Sequence, residues 1–65
     1  MEQEKLKVSL WGGKETEANV YDYVVQFYAG KWVAESVFDK LEEANARYYQ
    51  LLAEGYPHVQ VIQLH

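Results

Sequence analysis

The sequence predicts a small α+β domain in which a three- to four-stranded, mainly antiparallel sheet, in the order β-β-β-α-β, carries one helix on one face. Two observations predict it. Residues 21–28 (YDYVVQFY) and 32–38 (WVAESVF) both alternate with the two-residue period of a strand, and they flank a Gly30-Lys31 turn. Directly after the second run, the apolar residues Leu41, Ala44, Tyr48, Leu51 and Leu52 recur at helical spacing. A change of period from two residues to about 3.6 within one continuous segment marks a hairpin running straight into a helix.

Taken in order, Lys5 to Trp11 places Leu6, Val8 and Leu10 on one side and Lys5, Lys7 and Ser9 on the other, the pattern of a half-buried strand. Gly12-Gly13 ends it, and the polar run from Lys14 to Asn19 reads as a connecting loop. Residues 21–28 form the next strand. A two-residue turn with Gly30 in its first central position would set Ala29 opposite Trp32 and Phe27 opposite Ala34. That register gives a core face of Tyr21, Tyr23, Val25 and Phe27 beside Trp32, Ala34, Ser36 and Phe38. Asp39 suits a helix N-cap, and Glu42 three residues later completes a capping-box-like pair at the positive end of the helix dipole. Glu43 and Arg47 are spaced to pair on the outer surface. Gly55 terminates the helix, and Pro57 prevents its continuation. His58 to Leu64 is the final strand, with Val59 and Val61 on one phase and Ile62 and Leu64 on the other, which suggests a central position or a covered edge. Its neighbour is either the first strand or the strand over 32–38.

Composition narrows the function classes. Sixty-five residues make one domain, 1–65, and a chain this short buries only about 60% of its unfolded surface, leaving little room for an internal substrate cavity. With no cysteine there is neither a disulfide framework nor a thiolate metal site, so the 15% of aromatic residues must supply core volume. A net charge of −4 opposes a general phosphate-binding surface. No apolar run approaches the roughly 20 residues of a membrane span, and the acidic start Met1-Glu2-Gln3-Glu4 is the reverse of a secretory signal, so the chain reads as cytoplasmic with no membrane partner.

Catalytic signatures fail individually. Gly12-Gly13-Lys14 lacks the earlier glycine of a phosphate-binding loop and has Glu15 where Ser or Thr belongs. His58 and His65 have no interpretable nucleophile, and their spacing does not fit a two-histidine site on one strand. Glu42 and Glu43 point to different sides of the helix. The reading is therefore a non-enzymatic protein with no cofactor and no metal, acting through a surface. One helix covers one side of a sheet, so the other hairpin face, with Val24, Gln26, Tyr28, Val33, Glu35 and Val37, is the candidate contact with another protein chain. Trp11, on the polar phase of the first strand, is a further candidate. The plainer readings are that valine and tyrosine simply favour strands, and that Trp11 folds over the edge of a small core.

At Phe38-Asp39-Lys40-Leu41-Glu42-Glu43-Ala44, followed by Gly55-Tyr56 and a closing strand, the chain resembles the small inhibitors of host bacterial RNA polymerase made by podovirus-type phages. The likeness covers about the last two thirds of the sequence and is architectural. It implies a phage-encoded inhibitor that occludes the surface of a host enzyme. The strand–Gly-Lys-Trp–strand–helix run also resembles the arm-type DNA-binding domain of tyrosine recombinases, whose sheet face is basic where this chain offers Asp22, Gln26 and Glu35. Two alternatives stand beside inhibition: a homodimer built on the free sheet face, and a single-strand nucleic-acid binder stacking bases on Trp11 and Tyr28, which the acidic balance opposes.

Overall fold

The computed structural model of the protein describes residues 5–65. It is an α+β fold with strands β1 (Lys5–Leu10), β2 (Lys14–Asn19), β3 (Tyr23–Tyr28), β4 (Trp32–Phe38) and β5 (Val59–Gln63), and helix α1 (Leu41–Ala53) between β4 and β5. The five strands form one mixed sheet in the order β2-β1-β4-β3-β5. The number and the order of the strands both differ from the sequence reading. The polar run Lys14–Asn19 is a strand, not a loop, paired antiparallel with β1 so that Leu6 faces Ala18 and Val8 faces Thr16. Trp11, Gly12 and Gly13 form the connection, and both glycines take positive φ, of 91° and 80°, a region closed to most side chains. The last strand lies beside neither of its expected neighbours: it pairs antiparallel with β3, at the sheet edge.

The β3–β4 hairpin is built differently on its two halves. Away from the turn, Tyr23 faces Phe38, Val24 faces Val37 and Val25 faces Ser36, which is the register read from sequence. Next to the turn Gln26 faces Ala34, Phe27 faces Val33 and Tyr28 faces Trp32. The loop is thus three residues, Ala29 to Lys31, rather than two, and a bulge at Glu35 absorbs the extra residue. Because the side-chain period is two, a one-residue shift reverses faces. Val33 consequently joins Phe27 on the helix side, while Ala34 and Trp32 turn to the opposite side with Tyr28.

α1 lies on the face carrying Tyr23, Val25, Val59 and Val61, where Val25, Ala44 and Leu51 are at most 1% exposed and Phe38 and Tyr56 pack around them. The helix start departs from expectation. The N-cap position is Lys40, with extended φ/ψ and no side-chain cap, so Asp39 does not perform that role, although Glu42 and Glu43 do occupy the first turn. The end is a Schellman motif: Gly55, at φ 100°, donates to the Leu52 carbonyl, and Tyr56 donates to that of Leu51. Tyr21, assigned to the core face from its phase, precedes β3 and is 58% exposed.

The far face of the sheet is covered in part. β1 joins β4 through a single parallel bridge, Leu10 to Ala34. At its other end, the hairpin is tied to the start of β3: the Asp22 amide donates to the Asn19 carbonyl at 3.0 Å, and the Asn19 amide donates to the Asp22 carboxylate at 2.9 Å. A flat sheet would hold β2 three strands away from β3, roughly 14 Å at the usual spacing. The hairpin must therefore leave the plane. Ala18, beside Leu6 on its apolar side, and Val24, on the sheet face away from the helix, are each 2% exposed. The helix contacts β3, β4 and β5 from the other side. Out of the plane, the end of the β1–β2 hairpin tied at Asn19–Asp22 comes over the far face near the start of β3, where Ala18 and Val24 are closed to solvent, while Leu6 stays 38% exposed and Tyr28 and Trp32 leave the turn end of that face open.

Candidate functional site

The residues singled out by sequence fall into three groups. Val24 is buried under the hairpin and cannot belong to a contact surface, and Val37, its cross-strand partner, is half-buried beside it. Val33 faces the helix side. Glu35, at the bulge, turns to the helix as well and is gripped by both ends of the Arg47 guanidinium, whose Nε donates to Oε1 at 3.1 Å and whose second nitrogen meets Oε2. Arg47 thus pairs with Glu35 across the fold, in place of the Glu43 neighbour expected along the helix. Its hydrogen bonds hold the Glu35 carboxyl below the usual carboxylate value of 4.5, against the opposing pull of partial burial. This pair fastens α1 to β4 and is structural.

Gln26, Tyr28 and Trp11 remain. Gln26 is committed across the sheet, its side-chain oxygen accepting from the Gln60 amide at 2.7 Å. Tyr28 and Trp11 are 48% and 59% exposed, and the residue sequence reasoning missed is Trp32, 42% exposed. The three-residue loop and the bulge account for the miss, since they rotate Trp32 out of the expected core position and set its ring edge-on to Tyr28 with centroids 5.5 Å apart. His58 flanks the pair, with its ring 6.4 Å from Tyr28. On the other side of β4, Trp11 leans edge-on against Phe27 at 5.4 Å, so it does cap the edge of the core while keeping most of its surface in solvent.

Trp11 and Trp32 come together beside the single bridge between β1 and β4. Between them is a cleft of about 480 Å³, lined by Leu10, Trp11, Gly12 and Gly13 from the first hairpin and by Lys31, Trp32 and Val33 from the second. Both tryptophans stand on its walls. Lys31 is the one charged residue lining it. No group of three or more His, Cys, Asp or Glu among the described residues is placed to hold a metal, and no described helix is long and apolar enough to cross a membrane. Such a cleft offers flat ring surface, indole hydrogen-bonding groups and one cation. No family model, no curated protein and no solved structure matches the chain.

Proposed function

We propose that this chain is a non-enzymatic module that binds another protein through the aromatic end of its sheet, with Trp11, Tyr28 and Trp32 as anchors and Lys31 and His58 at the rim. The observation that carries the reading is that Trp11 and Trp32 line one apolar cleft and Tyr28 packs edge-on against Trp32, all three more than 40% exposed in a protein this small. Tyrosine and tryptophan dominate interface energetics because they bring rigid ring area and a polar tip at little entropic cost. A phage-encoded inhibitor that occludes a host enzyme is the specific form of this function implied by the architectural resemblance.

The same grouping supports a second reading, in which single-stranded nucleic acid stacks on the rings beside Lys31. The net charge of −4 opposes it.

The test is capture and affinity measurement with the parent, Tyr28→Ala and the double variant Tyr28→Ala/Trp32→Ala. Tyr28→Ala should weaken partner binding by about 2 kcal/mol or more, some thirtyfold, with the unfolding midpoint little changed. Undiminished capture by the double variant would overturn the assignment, and a salt-dependent shift with an oligonucleotide but no protein capture would move it to the second reading.

A further inference from the structure

We infer that the outer edge of β5 is a self-association surface, on which two copies of this chain join antiparallel about a two-fold axis at Val61 and merge their sheets into one. This surface is separate from the aromatic end and does not depend on the function proposed for it.

The backbone defines the docking groups. The Leu64 amide donates inward to the Asp22 carbonyl, and the His58 carbonyl accepts inward from the Tyr28 amide. In an antiparallel ladder alternate residues bond to the same neighbour, so Gln60 and Ile62 also face β3, while Val59, Val61 and Gln63 direct their N–H and C=O groups outward. Nothing pairs with that side of β5 among the described residues, because β5 ends the sheet. The three outward residues are spaced symmetrically about Val61. Turned over on itself, the strand sets Val61 opposite Val61 of the second copy and Val59 opposite Gln63, and all six outward groups per strand find a partner. Registers centred on Gln60 or Ile62 leave some of them unmatched.

Side chains permit this approach at one edge and forbid it at the other. From Pro57 to His65 the sequence has no Asp, Glu, Lys or Arg, although a quarter of the chain is charged. β2, the opposite edge, carries Lys14, Glu15 and Glu17 in six residues. Charges on an edge strand are the usual defence against edge-to-edge pairing, so one edge is guarded and the other is bare. The bare edge is also the self-complementary one, which is why the occupant is a second copy rather than an unrelated strand. Cross-strand neighbours would be Val61 with Val61 on the helix side and Gln60 with Ile62 on the far side, with no like charges opposed.

Sedimentation over a wide concentration range, combined with amide exchange followed by NMR, tests the proposal on the full chain. The parent should reach twice the single-chain mass, and the amides of Val59, Val61 and Gln63 should become protected as it does so. Gln63→Pro removes an outward donor at a solvent-facing edge position and should raise the dissociation constant at least tenfold. Gln63→Lys, which places the usual guard charge on an exposed residue, should do the same and serves if the proline variant fails to fold. Tyr28→Ala should leave the mass unchanged. A parent that stays monomeric at millimolar concentration, or captures an extended segment of a different protein in preference to itself, would overturn the inference. So would a dimer in which those three amides still exchange freely.

Discussion

Replacing Val24 with alanine measures whether the first hairpin covers the sheet. Val24 is 2% exposed on the face opposite α1, and among the described elements the β1–β2 hairpin is the one placed to come over it there. The substitution removes the equivalent of two methylene groups from a closed site. At about 0.8 kcal/mol for each, the transfer cost is about 1.6 kcal/mol, and incomplete collapse of the small cavity brings the loss to about 2–3 kcal/mol. For a domain of this size that lowers the unfolding midpoint by roughly 10–20 °C. Thermal and urea unfolding followed by circular dichroism would report it, with an unchanged urea slope showing that the same surface is exposed on unfolding. A loss within about 0.5 kcal/mol, the usual range for a surface substitution, would refute the closed surroundings of Val24. Ala18→Val supplies a check from the other side of the contact, since overpacking a 2% exposed alanine should itself cost about 1–3 kcal/mol.

Two further outcomes follow from the helix attachments. The folded-state pKa of Glu35 lies below its unfolded value, so the Glu35–Arg47 pair contributes stability above pH 4.5 that is lost as the pH falls through the lowered folded value; Glu35→Gln should flatten the acid limb of a stability–pH profile, and an unchanged limb would show that other carboxyls produce it. Lys40 already has the extended backbone of an N-cap but offers no acceptor, so Lys40→Asp should stabilise by about 0.5–2 kcal/mol while Asp39→Ala changes little, and the reverse order in chemical denaturation would restore Asp39 as the cap.

Patterning made the centre of the fold legible. Strict alternation gave β3 and β4, and the stripe through Ala44 and Leu51 gave α1 and its buried side, because these elements sit between solvent and a single core. β2 was obscured for the opposite reason. KETEAN is an edge strand whose charged side chains face water, and its sequence signal is confined to the alternation of Thr16 and Ala18 behind a Gly-Gly turn. The loop length and the bulge at Glu35 left no composition cue, and together they determined which face received Trp32 and Val33. Tyr28 is exposed, as its strand phase suggests, and Trp11 leans on the edge of the core while keeping 59% of its surface in solvent. Val24 was not exposed, because a single strand's alternation tells which residues share a face but not whether a distant hairpin returns to cover it.

The first hairpin is held by unequal attachments. One bridge at Leu10 and the short turn between Asn19 and Asp22 are its backbone ties to the rest of the sheet, whereas β3 is flanked along its whole length by β4 and β5. Released at the bridge, β1–β2 could swing about the Asn19–Asp22 turn while the layer formed by α1 with β3, β4 and β5 stayed intact, baring Val24 and Ala18 and dismantling one wall of the aromatic cleft. Fewer backbone ties favour opening of this hairpin at a lower cost than opening of that layer, and the hairpin is the element that contributes Trp11.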